Sequence, residues 1–112
     1  MLNQEQRATL WDEGFVVVDR VFQGEEMEEL TQDLHAYDRR NRERLRRDRG
    51  GVEGISRADE IVFTSHIAEA DPKVRAFCLR PELVSIATSV LGANIDLYWN
   101  QSVFKEPETR AE

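Results

Sequence analysis

The spacing of apolar residues changes character several times between Met1 and Lys105, and each change marks an element. Asn3 stands at a capping position with Gln6 three residues on, and Gly14 supplies a left-handed stop, so a short helix opens the chain. Its buried face is expected to be Leu10 and Trp11. Phe15-Val16-Val17-Val18 follows without polar alternation, the pattern of a strand covered on both faces. Gly24 leads into a second helix, with Met27, Leu30, Leu34 and Tyr37 at helical spacing. It runs toward a group of arginines and must end at Gly50-Gly51.

Residues 50–70 carry a weaker pattern. Gly51, Gly54 and Ser56 suggest a loop, and Ile61-Val62-Phe63 a short apolar anchor. Asp71-Pro72 then reads as an N-cap followed by proline at the first helical position. Arg80-Pro81-Glu82 restarts the helix in the same way. Leu83, Val84, Ile86, Ala87, Val90 and Leu91 give that helix a wide apolar stripe, and Gly92 ends it.

The last segment predicts a long strand from Ile95 to Lys105. Ile95, Leu97, Trp99 and Val103 fall on one face by parity, and Gln101 and Lys105 share it. A long strand needs neighbours for its N–H and C=O groups. Either it pairs with another chain, or the rest of its sheet lies outside these residues. The second reading is the simpler one.

Composition narrows the class. At 112 residues, with 40% hydrophobic and 33% charged, the chain fits one modest soluble domain with no internal boundary. No apolar run approaches membrane-spanning length, and the N-terminus lacks the basic and apolar regions of a signal peptide. The single cysteine, Cys78, cannot form an internal disulfide, which points to a cytoplasmic address. Cys78 lies among Val74, Phe77 and Leu79 with nothing nearby to activate a thiolate, so it reads as packing.

The net charge is −7, yet Arg39, Arg40, Arg42, Arg44, Arg46, Arg47 and Arg49 crowd into one segment. That segment does not read as a nucleic-acid patch. Glu25, Glu26, Glu28 and Glu29 open the helix that the arginines close, an arrangement that complements the helix dipole. No aromatic residues interleave to stack on bases, and the acidic chain opposes phosphate.

Candidate chemistry is sparse. A non-haem iron site needs two histidines and a carboxylate. His35 and His66 each have a carboxylate three residues on, Asp38 and Glu69, but lack the further ligands that bundle sites use. Both read as polar residues, not ligands. No nucleophile elbow, P-loop or dinucleotide fingerprint occurs. Lys105 is the residue that invites a function. On an apolar face it is costly to bury unless an anion meets it; otherwise the strand ends or bulges first and leaves the ammonium in water.

Gly14-Phe15-Val16-Val17-Val18-Asp19, Val21-Phe22 and the Met27/Leu30/Leu34 helix open the chain. Arg80-Pro81-Glu82-Leu83-Val84, Val90-Leu91-Gly92 and Trp99-Asn100-Gln101-Ser102-Val103-Phe104-Lys105-Glu106-Pro107 follow. In that order they resemble the phytanoyl-CoA dioxygenase family of iron(II)- and 2-oxoglutarate-dependent oxygenases. The resemblance covers nearly everything except the arginine-rich insert. It implies an α+β chain in which residues 1–112 are the N-terminal part of a single domain. That part would supply the outer helices and first long strand of a double-stranded β-helix, or jelly roll. It also implies that the family's His-x-Asp iron motif follows soon after Glu112, with the second histidine and the cofactor-binding arginine further on. The residues at hand then hold no catalytic or metal-ligating side chain. They are expected to be inactive alone and to bind neither cofactor tightly.

In the intact relative, iron(II), 2-oxoglutarate and O₂ would hydroxylate a small organic substrate. Gln101 and Lys105 would face the 2-oxoglutarate or substrate pocket. The alternative is a non-catalytic helical module that dimerises through residues 95–105.

Overall fold

The computed structural model describes residues 1–107. The first element, α1 (Gln4–Glu13), is closed at both ends as the sequence requires. The Asn3 side chain accepts from the Gln6 amide at 2.8 Å, and the Gln6 side chain accepts from the Asn3 amide at 2.9 Å. Gly14, at φ 83, donates back to the Leu10 carbonyl. The expected buried face is corrected: Trp11 is 80% exposed and nothing in α1 is buried. The helix is polar around most of its circumference, so it has no stripe to bury. The N-terminus is fixed instead by Leu2, 2% exposed, whose amide donates to Ser89 Oγ.

Phe15–Val18 is likewise not a strand. These residues form no ladder, and Phe15 and Val17 are exposed. A β-branched run supplies strand propensity, but without an adjacent strand edge its backbone has nothing to pair with.

The main scaffold is α2 (Gly24–Arg49), which runs unbroken through the arginines. It is capped by reciprocal hydrogen bonds between Gln23 and Glu26 and stopped by Gly50 at φ 62. Beyond it the 50–70 region is more ordered than its glycines suggested. Two short strands, β1 (Val52–Glu53) and β2 (Ser56–Arg57), lead into β3 (Ile61–Ser65). Three helices follow: α3 (Ile67–Ala70), α4 (Pro72–Cys78) and α5 (Pro81–Leu91). Asp71 caps α4 by accepting from the Lys73 amide at 2.8 Å, with Pro72 in the first turn as expected.

The final strand, β4 (Gln101–Lys105), completes an antiparallel sheet in the order β1-β2-β3-β4. It is shorter than the Ile95–Lys105 strand expected from parity. The cause lies in its partner: His66, at φ 62, turns the chain out of β3, so among the described residues no strand continues the ladder alongside residues 95–99. The closing contacts are the His66 amide on the Asn100 carbonyl and the Ala68 amide on Asn100 Oδ1. Leu45, Ala58 and Val62 form the core between α2 and the sheet, while Ile67, Ala68 and Val74 form a second cluster against Leu30 and Leu34.

One backbone position yields a sharp expectation. Gly92 ends α5 at φ 96, ψ 176, whereas Gly50 ends α2 at φ 62, ψ 25. The first lies in a region open essentially to glycine alone; the second is left-handed backbone that asparagine tolerates. Gly92→Asn should therefore cost about 1–3 kcal/mol in thermal unfolding, and Gly50→Asn only a few tenths. Equal melting shifts would contradict this end of α5.

Candidate functional site

The β3–β4 ladder sorts its side chains onto two faces. Cα partners are Ile61 with Lys105, Val62 with Phe104, Phe63 with Val103, Thr64 with Ser102 and Ser65 with Gln101. Paired residues share a face, so Val62, Thr64, Ser102 and Phe104 lie on one side. α2 covers that side. Val62 packs in the core with Leu45, Asn41 Nδ2 donates to Thr64 Oγ1 at 3.0 Å, and the His35 ring lies 4.5 Å from the Phe104 ring.

Ile61, Phe63, Ser65, Gln101, Val103 and Lys105 make up the other face. Gln101, Val103 and Lys105 are all exposed on it. The strand runs through Lys105, which pairs with Ile61, and Glu106 closes the ladder by donating to the Glu60 carbonyl at 2.7 Å. Gln101 and Lys105 are thus brought to one face, separated by about 13 Å of strand. That is too far for both to grip one carboxylate group. They can meet different ends of a ligand, or different ligands.

The residue that sequence reasoning missed is Arg42. It is 6% exposed, and Asp38 beside it 7%. Arg42 Nε donates to Asp38 Oδ2 at 2.8 Å, Nη1 donates to the Ala58 carbonyl, and Nη2 donates to the Phe104 carbonyl at 3.1 Å. Its Nη1 also lies 3.6 Å from Glu106 Oε1. A signal was present: Leu34, Asp38, Arg42 and Leu45 follow one helical stripe, so the charged pair interrupts an otherwise apolar face. The other arginines behave as solvated helix charges. Arg44 grips Glu53 through both its terminal nitrogens at 3.0 and 3.1 Å and holds that carboxyl below its ordinary pKa. Arg46 meets Asp59, and Arg47 meets Asp48.

The histidines do not converge. His35 stacks on Phe104, while His66 sits edge-on to Trp99 with Nδ1 3.8 Å from Glu69. Among the described residues no three His, Cys, Asp or Glu side chains form a group that could hold a metal. Cys78 is half-buried, and burial pushes its thiol up, which suits packing and disfavours a thiolate. It borders a cavity of about 370 Å³ whose walls are Leu30, Leu34, Ile67, Val74 and Phe77 on one side and residues 100–104, Gln101 and Val103 among them, on the other. No helix among the described residues is long and apolar enough to cross a membrane.

Compared with known proteins, residues 11–112 match the family model described as phytanoyl-CoA dioxygenase. No curated protein and no solved structure matches the chain.

Proposed function

Because the chain belongs to the phytanoyl-CoA dioxygenase family, we propose that it forms the N-terminal portion of an iron(II)- and 2-oxoglutarate-dependent dioxygenase acting on a small organic substrate. The observation that carries this reading is the two-faced β3–β4 ladder. The family implies a jelly-roll fold with helices outside the barrel. The face under α2 is then its outer wall, and the face bearing Gln101, Val103 and Lys105 is turned inward. A Cα radius of gyration of 17.2 Å supports the same view. A compact domain of this length would have about 13 Å.

On this reading the chain's own residues bind and shape; they do not hold the iron. No group among the described residues fits that metal, so no reaction step is assigned to them. Lys105 would offer an ammonium donor to a carboxylate of 2-oxoglutarate or of the substrate, and the Gln101 amide a neutral donor or acceptor further along the strand. Val103 and Phe63, between them on the same face, would keep water from those contacts. The single cysteine favours a cytoplasmic setting.

The rival reading, a module that dimerises through residues 95–105, is favoured by β4 lying at the sheet edge with Trp99 and Val103 exposed. Sedimentation of the purified chain separates the two. A barrel portion should run as a loose monomer or aggregate as concentration rises. A defined, soluble dimer abolished by Val103→Lys would favour the module instead.

A further inference from the structure

We propose that Arg42 is a positioning residue: its buried guanidinium fixes the end of β4 and so sets the direction in which Lys105 leaves the sheet. The proposal concerns how Lys105 is held; what Lys105 meets rests on the dioxygenase reading above.

The geometry is specific to the peptide units around Lys105. The Phe104 carbonyl that accepts from Arg42 Nη2 belongs to the peptide plane joining Phe104 to Lys105. On the far side, Glu106 is drawn toward Arg42 Nη1 at 3.6 Å, while its amide donates to the Glu60 carbonyl at 2.7 Å. Both peptides that define the Lys105 Cα–Cβ direction are therefore tied to groups outside β4. Without those ties the residue closes a ladder at a sheet edge, where strand ends open locally at little cost.

Arg42 is suited to this and lysine is not. A planar fork with five donors reaches Asp38, the Ala58 carbonyl and the Phe104 carbonyl at once. An ammonium is a point donor on a shorter reach, and can keep Asp38 company only by releasing the carbonyls. Asp38 in turn orients the fork through Nε. Aspartate and arginine one helical turn apart thus convert the rigidity of α2 into order at the strand that carries Lys105.

Amide hydrogen exchange resolved to single residues, on the full natural chain with no ligand added, tests this and judges Arg42 whatever Lys105 turns out to bind. In Arg42→Lys the Glu106 amide should exchange about tenfold faster, the loss of roughly one net hydrogen bond, while the Leu45 amide inside α2 keeps its protection. Arg42→Met should show the larger local effect if it folds; if it does not, Arg42→Lys alone decides. Unchanged protection at Glu106 would overturn the proposal. So would a parallel loss at Glu106 and Leu45, or unfolding of Arg42→Lys, because Arg42 would then be stabilising the whole fold and not one strand end.

Discussion

Replacing Leu45 by alanine should lower the unfolding free energy by about 2–5 kcal/mol, the usual range for a fully buried leucine whose site cannot collapse. Leu45 is 0% exposed and clusters with Ala58 and Val62 between α2 and the sheet. Relaxation is restricted because Arg42, one turn earlier on α2, pins the Ala58 and Phe104 carbonyls. Small domains have only about 5–15 kcal/mol in total, so a loss of this size is a large share of it and should move the unfolding midpoint to clearly lower denaturant. Urea unfolding followed by circular dichroism would measure it, with Val103→Ala as the exposed control. A loss under about 1 kcal/mol would mean that the α2–sheet contact is looser than the geometry shows.

The second large effect concerns Lys105. In the active enzyme, Lys105→Ala should raise the KM for 2-oxoglutarate or for the substrate roughly ten- to a hundredfold, the worth of one desolvated charge-assisted hydrogen bond. The fold should be untouched, since the side chain stands on the exposed face of the sheet. Exposure is also what makes the experiment decisive. A lysine that stays in water contributes almost nothing, because surface charges are screened. Only enclosure of that face produces a change in KM. Unchanged KM values for both ligands would remove Lys105 from the pocket and leave Gln101 as the proposed ligand contact in this segment.

Helices α1, α2, α4 and α5 were legible in the sequence because their signals are local, whereas α3 was not foreseen. Asn3 with Gln6, Asp71 with Pro72, and glycines at 14, 50 and 92 each mark a helix end through the backbone geometry of a single turn. Strands proved harder, because a strand exists only where a partner does. Phe15–Val18 has the better propensity but no neighbour, whereas Ile61–Ser65, read as no more than an anchor, pairs along its length with Gln101–Lys105. The long strand was cut to its C-terminal half for the same reason, since His66 takes β3 away from it.

Parity placed Gln101, Val103 and Lys105 on one face, as the ladder does, because side chains alternate whatever the strand's length. Arg42 was hidden by its neighbours. In a segment crowded with solvated arginines, composition gave no reason to single out the one on the buried stripe. Only its phase relative to Leu34 and Leu45 did.

On the reading proposed above, these residues form the opening wall of a dioxygenase barrel whose iron ligands lie further along the same polypeptide. Sequencing the natural transcript through and beyond the codon for Glu112 tests it most directly. The expected result is an open frame with a histidine and an aspartate one residue apart soon after that codon, followed by a second histidine and an arginine downstream. A stop codon at that point, or a frame that continues without the histidine–aspartate pair, would contradict it.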